Sequence, residues 1–214
     1  MRKEKFEENE YYHIYNRGVD KRSIVMDDYD KIRFIHTLYI LNSFLNIPYR
    51  FNIVALRPQE FLTPRQPFVK IVAACLMPNH YHLMLTPLKE NGVSDFLQKI
   101  GTSYTKYFNS RHNRTGRLFE RTFQAKLINK QEYASYLTYY IHLNPLKLCT
   151  TTNDPKKKLE WTMGYEWSTL PDYLEKKGRF SKITTKDFRD DILDMNVKEY
   201  KDFINNTYKG LMQA

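Results

Sequence analysis

The sequence predicts an α+β fold, with a four-stranded antiparallel sheet, helices packed on it and a helical C-terminal extension. Three observations lead there. Four short stretches rich in β-branched and aromatic residues read as strands. Stretches with apolar residues on a helical period lie between and after them. Their order, strand, helix, strand, strand, helix, strand, helix, is that of a ferredoxin-like unit.

The first strand is Tyr11 to Tyr15, where bulky residues alternate before the turn residues Asn16-Arg17-Gly18. A helix follows from Asp28 to Leu45, with Ile32, Ile35, Leu38, Tyr39 and Leu45 on its apolar side. Between Asn46 and Pro67 lie four of the nine prolines (Pro48, Pro58, Pro64 and Pro67), so an irregular insertion is expected. Phe68 to Met77, rich in Val, Ile and Ala, reads as a buried strand. Pro78-Asn79 breaks it before a second strand from His80 to Leu85, and the two form a hairpin. Val93, Phe96, Leu97, Ile100, Tyr104, Tyr107 and Phe108 place a second helix over roughly Val93 to Ser110. A basic loop turning at Gly116 leads to a fourth strand, Phe119 to Ile128. The third helix, Gln131 to Leu143, is ended by Pro145, whose ring disfavours helix in the residue before it.

A length of 214 residues suits one catalytic domain over 1–150 with an extension over 151–214. In the extension, Lys156 to Lys158 form a basic run and Tyr165 to Tyr173 is aromatic and turn-rich. Asp187 to Asn205 looks helical, with Val197, Tyr200, Phe203 and Ile204 on one face. Met1 to Asn9 is charged, and the longest apolar stretch, Phe68 to Met77, is too short to span a bilayer. A soluble, cytoplasmic protein is expected, associated with the nucleoid when bound to DNA. The two cysteines, Cys75 and Cys149, make neither a disulfide framework nor a metal-type pair.

A net charge of +10 points to a polyanionic partner, and its distribution says more than its total. Gln98 to Lys130 holds eight basic residues against the single acid Glu120, interleaved with Tyr104, Tyr107, Phe108, Phe119 and Phe123. Cations for phosphates and rings for unpaired bases are the parts of a single-strand binding surface. The same composition also describes a solvated basic face with its aromatics turned inward. By contrast, Ile183 to Ala214 has five basic and six acidic residues, so the tail is not the obvious nucleic-acid surface.

Two features carry chemistry. His80-Tyr81-His82 on a strand puts both imidazoles on one face, because residues i and i+2 point together. With a third, harder ligand, such a pair can hold Mg or Mn with positions left open for a phosphate. Two half-exposed strand histidines would look the same. On the third helix, Tyr133, Tyr136, Leu137, Tyr140, Ile141 and Asn144 share a stripe, with Tyr140 and Asn144 four residues apart. A phenol is a poor nucleophile with a free pKa near ~10, and a cation polarising the scissile phosphate would offset that. The stripe is equally what packing on a sheet requires, and spacing does not choose among its tyrosines.

Three separated motifs narrow the choice. They are Tyr12-His13-Ile14-Tyr15-Asn16-Arg17-Gly18, then Leu76-Met77-Pro78-Asn79-His80-Tyr81-His82-Leu83-Met84-Leu85, and then Tyr139-Tyr140-Ile141-His142-Leu143-Asn144-Pro145. In this order the sequence resembles the HUH single-tyrosine transposases, and is most similar to their REP-associated tyrosine branch. Tyr165-Glu166-Trp167-Ser168 also resembles that branch. The resemblance implies a nickase and strand transferase acting on single-stranded DNA through a 5′-phosphotyrosine, with Tyr140 as nucleophile. It implies that His80 and His82 bind Mg or Mn. Asn144 stands where insertion-sequence relatives carry a longer glutamine that completes the coordination. His13, Asn16 and Arg17 match the opening motif, with a supporting or DNA-contacting role. The implied partner is hairpin-containing palindromic DNA, contacted by Arg17, Lys106, Arg111, Arg114, Arg117 and Arg121, with the protein a monomer rather than a homodimer.

Three rivals make different predictions. A domesticated or non-catalytic nucleic-acid-binding protein on the same fold would bind DNA without cutting it. An RNA-recognition module would leave His80, His82 and Tyr140 without a task. A metal-dependent hydrolase would keep its activity in Tyr140→Phe and form no covalent protein–DNA species.

Overall fold

The computed structural model describes residues 5–45, 66–128, 131–184 and 188–213. Its sheet has four strands: β1 (Tyr11–Arg17), β2 (Val69–Leu76), β3 (His80–Pro87) and β4 (Gln124–Ile128). They are all antiparallel in the order β2-β3-β1-β4, the ferredoxin-like arrangement that the element order predicts. β1 and β3 are central, so both of their edges are paired. A register shift between Ile71 and Ala73 lets the successive residues Val72 and Ala73 join the same core.

Helices α1 (Asp28–Leu41) and α2 (Gly92–Arg111) pack on one face. There Tyr12, Ile14, Leu83 and Leu85 meet Phe34 and Leu38 of α1 and Phe96, Ile100 and Tyr104 of α2. Each fully buried aliphatic side chain in such a core contributes roughly 2 kcal/mol. The opposite face is covered by α3 (Gln131–Leu143) through Leu137 and Ile141. Residues after 150 complete that second core: α4 (Pro155–Met163), α5 (Leu170–Tyr173) and α6 (Val197–Gln213) supply Leu159, Met163, Tyr173, Tyr200 and Ile204.

Several elements differ from the expectation or add to it, with local reasons. α1 stops at Leu41 because the Asn42 side chain leaves the helix to bond β2, accepting from Phe68 and Val69 N–H and donating to Val69 C=O. The expected proline-rich insertion from 46 lies outside the described residues up to 65, and its flanks are joined by Phe44 N–H to Gln66 C=O. β4 begins at Gln124 rather than Phe119, because Asn16 Nδ2 donates to both Arg121 and Thr122 carbonyls and so replaces strand pairing there. The basic run Lys156 to Lys158 is helical, started by Asp154 as N-cap and Pro155 in the first turn. The tail expected as one helix is two pieces, a π-helical turn (Phe188–Ile192) and α6. Asn196 opens α6 with a capping box: its side chain accepts from Lys198 and Glu199 N–H, and Glu199 accepts from Asn196 N–H.

Among the described residues, no helix is long and apolar enough to cross a membrane. Both cysteines are free and buried.

Candidate active site

Strand alternation brings the histidines together. Tyr12 and Ile14 of β1, and Tyr81 and Leu83 of β3, point into the core under α1 and α2. His13, His80 and His82 therefore point to the other face, toward α3. β1 and β3 are neighbours with Tyr15 opposite His82 and Arg17 opposite His80. The rings of His80 and His82 lie 5.1 Å apart and near perpendicular, and those of His13 and His82 stack at 5.1 Å. Gly18 ends β1 where no side chain fits, since an added Cβ would meet the Arg22 carbonyl oxygen at 2.1 Å.

α3 lays Tyr140 over this group. Its ring stands edge-on to His82 at 5.4 Å and to His13 at 6.2 Å, and 37% of the residue remains exposed. One turn later Asn144 is 97% buried, with Oδ1 3.4 Å from His80 Nε2. The expected four, Tyr140, His80, His82 and Asn144, are thus brought together.

Hydrogen bonding fixes which ring nitrogen of His80 is bare. Asn79 donates its Nδ2 to the Lys21 carbonyl, so its Oδ1 faces His80 Nδ1 at 2.6 Å. An amide oxygen only accepts, so His80 carries its proton on Nδ1 and leaves Nε2 as a lone pair. That lone pair faces the Asn144 oxygen, while Asn144 Nδ2 has no partner among the described residues. Two electron-pair donors turned toward each other suit a cation, and rotating the amide would let Nδ2 bond Nε2 without one. The group fits a divalent cation on this ground. His82 Nδ1 lies 2.9 Å from His13 Nε2, and a proton on His82 Nδ1 leaves its Nε2 bare too. Among the described residues, no three His, Cys, Asp or Glu side chains form a metal-holding group, so an ion here needs the amide and a substrate oxygen as well.

Electrostatics keep these rings neutral. Burial pushes the His13 pKa down to about 4, with Lys126 adding to the effect. His82 is pushed down by burial first, then by His13, His80 and Lys147. His80 is lowered by burial, opposed by Asn144 and assisted by Arg17 and Lys147. Neutral imidazole is the ligating form. Arg17, Lys126 and Lys147 are exposed, and none has an acidic partner among the described residues. Lys126 lies opposite His13 on β4, and Lys147 is in the 3-10 turn after α3. Sequence reasoning missed these two lysines as site residues. Lys147 follows Asn144 by three residues, which was the available signal.

The other expected DNA-contacting residues are dispersed. Arg121 is exposed and tied to the site's edge through its carbonyl, which accepts from Asn16. Arg117 is exposed in the loop before β4. Lys106 is exposed on α2, which packs against the sheet face opposite Tyr140. Arg114 donates to Asn109 Oδ1 at 2.6 Å and lies over the Phe108 ring. Arg111 departs furthest from the expectation. It is engaged by Asp27 at 2.7 Å and by the fully buried Asp30 at 2.6 Å, because Asp30 needs a cation once removed from water. A surface depression of about 630 Å³ lies among Arg22, Met26, His112 and Arg114, and none of His13, His80 and His82 lines it.

Residues 64–144 match the sequence model of the family described as "Transposase IS200 like". No curated protein matches the sequence. Among solved structures, the chain is similar to a REP-associated tyrosine transposase bound to a REP hairpin, with 16% identity over 82% of this chain and 84% of that one and a TM-score of 0.51. A Deinococcus radiodurans R1 protein provisionally assigned as a transposase shares 15% identity over 65% of this chain and 95% of that one, but superposes only loosely, with a TM-score of 0.35. Residues 64–144 are thus similar in sequence to the IS200-like transposases, and the fold of the chain is similar to that of a REP-associated tyrosine transposase.

Proposed function

We propose that this chain is a transposase that cleaves and rejoins single-stranded DNA by itself becoming joined to it at Tyr140. The observation that carries the reading is the edge-on approach of Tyr140, alone among the exposed α3 tyrosines, to His82 and His13. In the reaction the Tyr140 hydroxyl oxygen attacks the phosphorus and the P–O3′ bond breaks. The phenol gives up a proton, the leaving 3′ oxygen gains one, and the 5′ phosphate ends esterified to Tyr140. A 3′ hydroxyl attacking that ester restores a phosphodiester without ATP, since one bond replaces another of similar energy.

Arg17, Lys126 and Lys147 supply positive charge around the phosphate. His80 and His82 through Nε2, and Asn144 through Oδ1, are the residues that would hold Mg or Mn. The chemistry such a cation would supply is polarisation of a phosphoryl oxygen and partial neutralisation of its charge. As partner we carry over hairpin-containing single strands, since the similar REP-associated transposase was bound to a REP hairpin. We read the protein as acting through one chain. His142, two residues after Tyr140, is fully buried and bonded at 2.7 Å to both Tyr200 of α6 and Thr169, so α3 is anchored within its own polypeptide.

The test is a denaturing gel after incubation with labelled single strands from the flanks of the gene and Mn²⁺ or Mg²⁺. A covalent adduct is expected for the wild type and not for Tyr140→Phe or His80→Ala/His82→Ala, nor in the presence of chelator. Strong binding with no adduct or nick on any strand would replace this reading with a DNA-binding protein that does not cut.

A further inference from the structure

Tyr133, Tyr136 and Tyr140 run down the outer side of α3 at i, i+3 and i+7, exposed by 37%, 53% and 37%. The neighbouring Tyr139 is buried, so the exposure belongs to one stripe. The rings of Tyr133 and Tyr136 stand 26° from parallel with centroids 6.3 Å apart. From Tyr133 to Tyr140 the exposed residues of α3 are these tyrosines alone, with no charge among them. Packing gives no reason for large rings here, because Leu137 and Ile141 already bury the helix against the sheet.

We propose that Tyr133 and Tyr136 are a stacking surface for unpaired bases of a single-stranded DNA whose backbone enters the site at Tyr140. This rests on the function proposed above. The stripe is continuous with Tyr140, so a strand bound there can extend along it. Seven residues of helix span about 10 Å, room for roughly two or three bases at stacked spacing. Arg17 opposite His80, Lys126 opposite His13 and Lys147 three residues after Asn144, none with an acidic partner among the described residues, lie at the Tyr140 end, which places phosphates at that end and bases on the rings. Flat hydroxyl-bearing rings take any base by stacking, which suits an unpaired segment and not a duplex, whose bases are already stacked. A second copy of the chain is disfavoured as occupant by the net charge of +10.

The experiment measures anisotropy of fluorescein-labelled (dT)20 and of a 20-base-pair duplex, using the full chain. Tyr136→Ala is expected to weaken (dT)20 binding roughly ten-fold and Tyr133→Ala/Tyr136→Ala further, with duplex binding nearly unchanged. Tyr136→Phe should bind like the parent, since the ring is kept. Tyr136→Trp should show tryptophan quenching on adding (dT)20 beyond that of the parent, which has only Trp161 and Trp167. These side chains are exposed, so the variants should melt like the parent. A double variant that binds (dT)20 within two-fold of the parent overturns the proposal, and if it also loses a dimer seen for the parent in sedimentation, the face is a contact between copies. Loss of (dT)20 binding in the stripe variants with no covalent adduct from the wild type would keep the surface and reject the catalytic reading. An adduct together with undiminished binding by the double variant would do the reverse.

Discussion

His13 Nε2 and His82 Nδ1 lie 2.9 Å apart across the β1–β3 pair, both rings more than nine-tenths buried. When His13 accepts in this contact, the His82 proton stays on Nδ1 and Nε2 is left bare toward the site. His13→Ala should therefore weaken Mn²⁺ binding about ten-fold or more, the usual scale for losing a ligand's outer partner. His13→Gln, which can still accept, should recover part of it. Calorimetric titration of Mn²⁺ into the chain measures both. Equal Mn²⁺ affinity in the parent and His13→Ala would show that the contact only packs the strands.

Much of this was legible in the sequence, because it depends on spacing within single elements. The i, i+2 pair His80 and His82 and the i, i+4 pair Tyr140 and Asn144 follow from strand and helix periods, and the four-strand order follows from the element order. Relations between distant segments were not legible. Arg111 lies in a basic stretch, and only the fold brings Asp27 and Asp30 to it from more than eighty residues away. Lys126 was one of eight basic residues until β4 paired it with His13. Among the α3 tyrosines, periodicity gives each a similar claim; the family resemblance singles out Tyr140, and the fold sets its ring against the β1–β3 histidines.

Lys126 and Lys147 should behave as phosphate contacts. Lys126→Ala and Lys147→Ala are each expected to weaken binding of a single strand and to lower the slope of log affinity against log salt by roughly 0.7, the value for one phosphate charge on single-stranded DNA. Lys106→Ala, on the opposite face of the sheet, should leave the slope nearly unchanged. Titrations at several salt concentrations separate the cases. If Lys106→Ala moved the slope and the two site lysines did not, the strand would run over α2.

The His142 network should hold the tyrosine helix in place. Tyr200 Oη donates to Nδ1 and Nε2 donates to Thr169 Oγ1, which in turn reaches the Ala74 backbone of β2. His142→Ala removes these bonds, leaves the buried Tyr200 hydroxyl without this partner and opens a cavity. A loss of about 2–4 kcal/mol in unfolding free energy is expected. Urea denaturation measures it, and a change below 0.5 kcal/mol, roughly what surface substitutions give, would mean that α3 is held by its apolar contacts alone.

Arg111 should matter for stability at acid pH and little for DNA. Its guanidinium, bonded to the Asp27 carboxylate, lowers the Asp27 pKa from 3.8 to about 2, with the Asp30 backbone N–H assisting. A carboxylate with a depressed folded pKa holds fewer protons than in the unfolded chain, so stability rises with pH across that interval. Its contribution is complete above about pH 4 and is lost as pH falls toward 2. Arg111→Ala should flatten that part of the acid unfolding curve. At pH 7 it should also cost about 2 kcal/mol, because the buried Asp30 loses a cation and, among the described residues, retains Tyr107, His112 and the Met26 N–H. Single-strand affinity at pH 7 should stay within two-fold of the parent, since this guanidinium is already engaged. A variant with unaltered acid unfolding and a marked loss of DNA binding would return Arg111 to the nucleic-acid surface that its neighbours in sequence suggest.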